Sequence, residues 1–259
     1  MATLYIIGNG FDLYHRLPTS FSGFKVFTKD RFSAFSDAFE NYFEIDIKNY
    51  DDRWCKLEES LSEFSVDELI EHKRDYGDDD PHEDQFNNEV EIEIDNLTQG
   101  LVQELAAYLS IAEKVDVEKQ SLLSIDSNSR FLNFNYTNTL ERIYDVSPSN
   151  ICYIHGALNN NPTSIIIGHG CEFSDYEPEK IDTSNYTKDQ LFAFCDASSE
   201  NYERAVEDAY KYYNRSLKNT QDCISLHQDF FDSLRDVDRV IIFGHSLSDI
   251  DFPYRRLSR

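Results

Sequence analysis

The chain has 259 residues, of which 40% are hydrophobic and 14% aromatic, and its formal net charge is −25. This length suits one large α/β domain, and the hydrophobic content allows a packed core, which excludes a wholly disordered chain. The charge disfavours general nucleic-acid binding and binding to anionic membranes, because an acidic surface repels phosphate groups.

Cysteine usage and the short apolar runs favour a cytoplasmic protein. The five cysteines include no C-x-x-C pair, so zinc knuckles and disulfide frameworks are poorly supported and free thiols are expected. No apolar run in the sequence approaches the roughly 18 residues of a membrane-spanning helix. The first run, at residues 4–7, is also too short for a signal peptide. We therefore expect a cytoplasmic protein that does not contact membranes.

The first half of the chain predicts one strand followed by helices. Residues 3–7 are apolar and end at Gly8, which indicates a short buried strand, and a helix is expected to begin within residues 11–14. Phenylalanines at three- and four-residue steps predict helix from about 20 to 47, and the pattern continues over 54–64. We interpret these rings as a stripe that faces the core.

An acidic, turn-rich stretch interrupts the helical pattern. Residues 73–86 contain a glycine, a proline and several aspartates, which predict an exposed loop. The helical pattern resumes from about 86 to 115. We expect a single α/β domain over residues 1–259, with a mostly helical insert at about 20–120.

The second half of the chain alternates strands with helices. Thr137 is a candidate N-cap for the first of these helices, and an irregular stretch is expected up to about residue 198. The predicted strands cover 130–134, 151–154, 164–167 and 240–243, and the predicted helices cover 137–144, 200–217 and 222–235. Such alternation is typical of a parallel or mixed sheet with helices on both faces.

Many of the glycines come just after predicted strands. They are Gly8, Gly10, Gly156, Gly168, Gly170 and Gly244. In an open α/β sheet, ligands bind at the carboxyl ends of the strands. Glycine there either lets the main chain approach a ligand closely or serves a tight turn. The clustering favours a ligand site that several strand ends form together.

The loop after the first strand suits a pyrophosphate. Main-chain N–H groups at a strand-to-helix turn bind phosphates in nucleotide-binding folds. The predicted nucleotide-binding residues of this loop are Gly8, Asn9, Gly10 and Phe11. Position 13 is leucine, so the third glycine of G-x-G-x-x-G is missing and spacing alone is a weak dinucleotide signal.

Polar side chains also follow the later strands. Residues 133–139 carry three amides and two threonine hydroxyls, which either make turns and helix caps or position a ribose or a water. His155 ends another predicted strand. It is either a structural histidine or a general base, since its unperturbed pKa is about 6.5.

Two further histidines, His169 and His245, follow predicted strands. With His155 and either Asp249 or Asp251 they could form a metal site if their loops converge. No H-x-x-x-H pair supports this arrangement, and no metal is expected.

These motifs, in this order, resemble the bacteriophage abortive-infection AbiH family. The resemblance spans nearly the whole chain, and the few residues after the last motif are consistent with a truncated product. The motifs that carry it are IIGNGFDL at 6–13, LPT at 17–19, FLNFNYT at 131–137, IHG at 154–156, IGHG at 167–170 and GHSLSDID at 244–251.

More distantly, the same order of motifs is similar to sirtuins and to sirtuin-like NAD-consuming defence domains. This resemblance implies a Rossmann-like, DHS-like NAD-binding sheet flanked by helices, with a helical insert after the first strand. The positions that match are Gly8 and Gly10 for the pyrophosphate, Asn135 near the nicotinamide ribose, His155 as the catalytic histidine, and Gly244 and Ser246 in the late Gly-x-Ser motif.

Two departures from the sirtuin pattern limit the chemistry. The aspartate that usually follows the asparagine by two positions is Thr137 in this chain, and the four-cysteine zinc module is absent from the sequence. Deacylation of protein lysines is therefore not expected.

The resemblance implies an anti-phage protein that binds NAD and hydrolyses it to nicotinamide and ADP-ribose. Asn135 would position the ribose or the attacking water, His155 would act as the base, and Asp12 would stabilise the oxocarbenium-like cation. The alternative is a non-catalytic module that senses a nucleotide or binds a partner. The expected macromolecular partners are a phage-derived activator or a second copy of the chain.

Overall fold

The structure is a computed structural model that describes residues 2–31, 37–38, 41–43, 54–74, 84–118, 122–158, 165–171, 200–248 and 250–255. A sheet of four parallel strands, in the order β3-β2-β1-β4, lies at its centre. The strands are β1 (Ala2–Ile7), β2 (Arg130–Asn133), β3 (Ile151–Tyr153) and β4 (Val237–Phe243). The predicted parallel sheet is confirmed at this level.

Helices occupy most of the described chain between the strands. They are α1 (Asn9–Tyr14), α2 (Phe21–Arg31), α3 (Trp54–Ser60), α4 (Val66–Arg74), α5 (Asp84–Asp95), α6 (Leu101–Ala112), α7 (Thr139–Tyr144), α8 (Glu200–Arg215), α9 (Thr220–Leu226), α10 (Gln228–Asp232) and α11 (Phe252–Arg255). A π-helical turn, Asn96–Gly100, joins α5 to α6. Among the described residues, no helix is long and apolar enough to cross a membrane.

Alternating side chains of the strands bury both faces of the sheet. Leu4 and Ile6 of β1 pack on one face with residues of α9, α10 and α11, whereas Tyr5 and Ile7 pack on the other face with residues of α1 and α7. Successive side chains of a strand point to opposite faces, so an all-apolar strand must be covered on both. The predicted helices on both faces of the sheet are therefore confirmed.

A second core joins the helices that lie between β1 and β2 to α8. Phe24 and Phe43, both from the predicted phenylalanine stripe, are buried there together with Phe64 and Tyr212. The rings of Phe64 and Tyr212 lie 4.2 Å apart between centroids. Three other phenylalanines of the stripe, at positions 32, 35 and 39, lie outside the described residues, as do most of the predicted acidic loop and nearly all of the irregular stretch that ends near residue 198.

Two local predictions were wrong. Residues 165–167 of the predicted strand 164–167 do not form a strand: the Ile166 N–H donates to the carbonyl of His155, and the Tyr136 hydroxyl donates to the Ile166 carbonyl. Thr137 does not cap α7, because its hydroxyl donates to Asp12 instead, and Asn138 takes the cap position without a side-chain hydrogen bond. Helix α4 was not predicted.

The register of the sheet aligns the strand ends. Ile7 pairs with Asn133 of β2 and with Phe243 of β4, and Asn133 pairs with Tyr153 of β3. The next residues of all four strands therefore begin loops at one edge. This edge is where ligands bind in open α/β sheets.

The loops after β1 and β4 approach each other too closely for side chains. A Cβ atom on Gly8 would lie 2.6 Å from the Cα of His245, and one on Gly10 would lie 2.7 Å from the Cα of Gly244. Gly244 has a φ of +65°, and a Cβ atom there would lie 2.3 Å from the Phe11 nitrogen. Glycine is needed at these positions because the two main chains are in direct contact.

We predict that Gly244→Ala lowers the free energy of unfolding by roughly 3 kcal/mol. About 1–2 kcal/mol comes from the left-handed backbone and the rest from overpacking against the first loop. Urea unfolding of both proteins measures the change.

Gly170→Ala is the matched control, because a Cβ atom at Gly170 would meet Ile250 at an ordinary 3.5 Å. We expect a change within about 0.5 kcal/mol there, as for most surface substitutions. Equal stabilities of the Gly244 and Gly170 variants would refute the tight contact between the loops.

Candidate functional site

A cavity of about 310 Å³ lies at the carboxyl ends of the four strands. Small-molecule sites typically enclose about 300–1,000 Å³, so its volume is sufficient for a ligand group. The predicted site residues that line it are Gly8, Asn9, Gly10, Asp12, Asn135, His155, Gly244 and Ser246. Four strand ends thus bring together residues that are up to 238 positions apart in the chain (246 − 8).

Phe11, the remaining predicted site residue, is not among the residues that line the cavity. Its ring is buried in the core, 6.2 Å from the ring of Phe243 and 5.6 Å from the ring of Tyr144 between centroids. It anchors α1 on the sheet and thereby holds the loop that precedes it.

Main-chain hydrogen bonds already use most donors of the first loop. The N–H groups of Gly8 and Gly10 donate to the carbonyls of Phe243 and Gly244, each at 2.9 Å, and the Phe11 N–H donates to the Gly8 carbonyl. The Gly8 and Gly10 N–H groups are therefore bonded within the protein, and pyrophosphate binding by the main chain of this loop stays a prediction. The Asn9 N–H forms no hydrogen bond within the described part of the chain.

A buried carboxyl group lies next to the position where the sirtuin-like pattern expects an aspartate. The Thr137 hydroxyl donates to Asp12 Oδ2 at 2.6 Å, and the Thr139 hydroxyl donates to that of Thr137 at 3.1 Å. Burial raises the pKa of Asp12, and the hydrogen bond from Thr137 opposes that shift most strongly. Asp12 Oδ1 has no hydrogen-bond partner among the described residues.

Asn135 links the loop after β2 to the loop after β1. Its side-chain Nδ2 donates to the Gly8 carbonyl at 3.1 Å, and its main-chain N–H donates to Asn133 Oδ1 at 3.0 Å. The side chain of Asn133 therefore fixes the turn, and Asn135 is held in a single orientation at the wall of the cavity.

His155 follows β3 and is almost fully buried. Its Nε2 lies 3.1 Å from the Tyr254 hydroxyl, and its ring meets the ring of Phe134 at an interplanar angle of 79°. Burial lowers the pKa of His155, the positive charge of Lys218 lowers it further, and the carboxylate of Asp251 opposes both. The imidazole is therefore neutral at physiological pH.

His245 follows β4, and both of its ring nitrogens are occupied. Nδ1 accepts a hydrogen bond from the Leu247 N–H at 2.9 Å, and Nε2 lies 3.4 Å from Asp251 Oδ2. A ring held in this way cannot take a proton from a ligand without breaking one of these contacts. His245 shapes the cavity wall, and His155 remains the candidate base.

A buried lysine bridges two carboxylates at the cavity. Lys218 Nζ donates to Glu58 Oε1 at 2.8 Å and to Asp251 Oδ1 at 3.0 Å. All three residues line the cavity, and Lys218 is 2% exposed. Burial raises the pKa of Glu58. The pKa of Asp251 is lowered in spite of its burial, because hydrogen bonding by His245 and the charge of Lys218 stabilise the carboxylate.

The histidines do not gather around a common point. His169 is not among the cavity-lining residues; its ring lies 5.9 Å from that of Tyr213. Among the described residues, no group of three or more histidines, cysteines, aspartates or glutamates could hold a metal ion. Asp249, named in the metal alternative, lies outside the described residues.

Comparison with known protein families identifies the chain. A family model described as bacteriophage abortive infection AbiH matches residues 4–257. This chain belongs to the AbiH family. Membership implies a role in bacteriophage abortive infection. No curated protein matches the chain, and no solved structure matches it.

Several residues of this AbiH protein's cavity could not be found from the sequence. Lys218 and Glu58 are single charged residues in a chain with 73 Asp, Glu, Lys and Arg residues (24 + 49), so nothing marks them out. Tyr254 contacts His155 without lining the cavity; it follows the last motif and carries no pattern of its own. Thr137 was predicted as a helix cap and noted as a departure from the sirtuin pattern, but its contact with Asp12 was not predicted.

We predict that Lys218→Met destabilises this AbiH protein by about 3–5 kcal/mol at pH 7, because it leaves two buried carboxylates without their cation. The effect should shrink in acid. Because the pKa of Asp251 is lower in the folded protein, its carboxylate stabilises the fold at a pH above the unfolded pKa of about 3.9. This stabilisation is lost as the pH falls through the folded pKa. Thermal and urea unfolding at several pH values measures the effect.

Lys211→Met serves as the control, because Lys211 forms an ion pair with Asp208 but its side chain is 56% exposed. Exposed pairs contribute about 0–1 kcal/mol. A Lys218 variant that is as stable as the Lys211 variant would contradict the buried triad.

Proposed function

We propose that this AbiH protein binds NAD in the cavity and hydrolyses the bond between nicotinamide and ribose. The observation that carries the proposal is the convergence of Asp12, Asn135 and His155 on one cavity: Asp12 lies in α1 directly after β1, and Asn135 and His155 lie in the loops after β2 and β3. These are the residues that the sirtuin-like pattern and the first loop single out. Loss of NAD would stop metabolism in an infected cell, which fits a role in abortive infection.

The roles of the three residues follow from their surroundings. The neutral imidazole of His155 accepts a proton from water as the water oxygen bonds to the anomeric carbon of the nicotinamide ribose. The bond between that carbon and the pyridinium nitrogen breaks, and its electron pair stays on nicotinamide, which leaves as a neutral molecule. The products are nicotinamide, ADP-ribose and one proton. Asn135 orients the ribose or the water.

Asp12 supplies the carboxyl group that the loop after β2 lacks. Thr137 stands where the sirtuin-like pattern has an aspartate, and its hydroxyl donates to Asp12 Oδ2 at 2.6 Å. A carboxylate at this place stabilises positive charge on the ribose as nicotinamide departs. We propose that α1, rather than the loop after β2, contributes this group in the AbiH protein.

A non-catalytic nucleotide sensor is the second candidate. Two observations favour it: Thr137 replaces the expected aspartate, and burial raises the pKa of Asp12, which weakens its ability to stabilise a cation. In that case NAD or ADP-ribose would bind the same cavity unchanged, and its binding would alter the contacts of the protein with an activator or a second copy.

We predict that the purified full chain releases nicotinamide from NAD and that His155→Ala slows release by about 10²–10⁴-fold, as expected for loss of a general base. Chromatography of the products measures nicotinamide and ADP-ribose separately. His72→Ala is the control, since His72 is half-buried, does not line the cavity and contacts Tyr42 in the helical core instead. It should keep wild-type activity.

Three other outcomes would change the assignment. NAD that binds and is recovered intact after long incubation supports the sensor. Activity that survives in His155→Ala contradicts the base, and neither binding nor release, also with phage lysate present as a source of activator, contradicts NAD as the ligand.

A further inference from the structure

The proposed hydrolysis needs one ring nitrogen of His155 to be unprotonated and accessible. The contacts of the imidazole decide which of its two nitrogens that is. We propose that Tyr254 is a positioning residue that accepts a hydrogen bond from His155 Nε2–H and so leaves Nδ1 as the basic nitrogen. This inference rests on the proposed function for its catalytic consequence, whereas the protonation pattern itself can be tested without any substrate.

Of the two ring nitrogens of His155, Nε2 has a hydrogen-bond partner and Nδ1 has none. Nε2 lies 3.1 Å from the Tyr254 hydroxyl, and Nδ1 forms no hydrogen bond within the described part of the chain. The Phe134 ring meets the rings of both His155 and Tyr254 in a T-shaped arrangement, at centroid distances of 5.4 Å and 5.5 Å. The imidazole is therefore held between an aromatic wall and a hydroxyl, and a 180° turn of its ring would break the contact of Nε2 with that hydroxyl.

A second tyrosine–histidine pair in the same molecule shows the opposite arrangement. His15 Nδ1 lies 2.6 Å from the Phe11 carbonyl, so it must donate, and its Nε2 accepts from the Tyr144 hydroxyl at 2.6 Å. The Tyr144 oxygen also accepts from the Leu123 N–H. The distance at His155 is 0.5 Å longer (3.1 − 2.6) and lies in the range of N–H···O bonds, whereas O–H donors approach more closely.

The Cys223 thiol is a candidate acceptor for the hydroxyl proton of Tyr254, because both residues lie in the same buried cluster. Burial, as the larger cause, and the nearby Cys223 thiol raise the pKa of Tyr254, so the phenol keeps its proton. If the proton points to the Cys223 sulfur, the Tyr254 oxygen is free to accept from His155 Nε2–H.

The groups around His155 keep its imidazole neutral, which is compatible with a proton on Nε2 and none on Nδ1. The titratable groups that act on it are Lys218, His245 and His227, which lower its pKa, and Asp251, which raises it. Burial is the largest cause and also lowers the pKa. With Nε2 donating to Tyr254, a neutral ring must carry its lone pair on Nδ1. Nδ1 then takes the proton of the attacking water.

Nitrogen-15 NMR of histidine-labelled full-length protein at pH 7 tests the inference directly. The His155 signals, assigned by their loss in His155→Gln, should show protonated Nε2 and unprotonated Nδ1. In Tyr254→Phe we expect a mixture of both tautomers, a fall in kcat of about tenfold with KM changed less than twofold, and a shifted acidic limb of the pH–rate profile. Tyr144→Phe is the matched control and should alter the His15 signals while kcat stays within twofold of wild type.

Unprotonated Nε2 in the wild-type protein would overturn the inference, whether or not NAD is cleaved. Tyr254→Phe with an unchanged tautomer, or with an unchanged kcat and pH profile, would overturn the positioning role. Protonated Nε2 in a protein that does not cleave NAD would support the tautomer assignment and contradict the proposed hydrolysis, so the two failures can be told apart.

Discussion

The direct contact between the loops after β1 and β4 determines the rest of the site. The Gly8 and Gly10 N–H groups donate to carbonyls at the end of β4, and a Cβ atom on either glycine would collide with the other loop. This contact fixes the start of α1, which carries Asp12, and it presents the Gly8 carbonyl to which Asn135 donates. The residues of three loops are thereby set by one main-chain contact, and a change at either glycine should disturb all of them.

The cavity has a different electrostatic character from the surface. The chain carries a formal charge of −25, yet burial raises the pKa of Asp12 and Glu58, and Lys218 compensates the carboxylates beside it. Carboxyl groups whose charge is disfavoured by burial or compensated by a lysine repel a pyrophosphate less than exposed carboxylates do. An acidic protein can therefore hold an anionic nucleotide, provided that its carboxyl groups at the site are buried and bonded within the protein.

The sequence predicted most of the elements and eight of the 19 residues that line the cavity, because both depend on local patterns. Apolar runs that end in glycine marked β1 and β4, and strand-end positions brought Asn135 and His155 to one edge. Contacts between distant, unremarkable residues were not predictable: Lys218 meets Glu58 across 160 positions, and Tyr254 meets His155 across 99. The hydrogen bonds from the Gly8 and Gly10 N–H groups depend on the end of the neighbouring strand, which the local sequence does not reveal. The apolar residues 165–167 fit a strand pattern, but Ile166 hydrogen-bonds with His155 and Tyr136 instead of with a strand.

In the proposed function the segments after the four strands form one nucleotide site, and hydrogen–deuterium exchange of the full chain with and without ADP-ribose tests this arrangement. ADP-ribose keeps the pyrophosphate and both riboses of NAD but has no nicotinamide to lose. We predict slower exchange in peptides that cover residues 8–12, 134–137, 155–156 and 244–246, with little change in α4 and α5, which contribute no residue to the cavity lining. Unchanged exchange in these loops at saturating ADP-ribose, or protection confined to those helices, would contradict it.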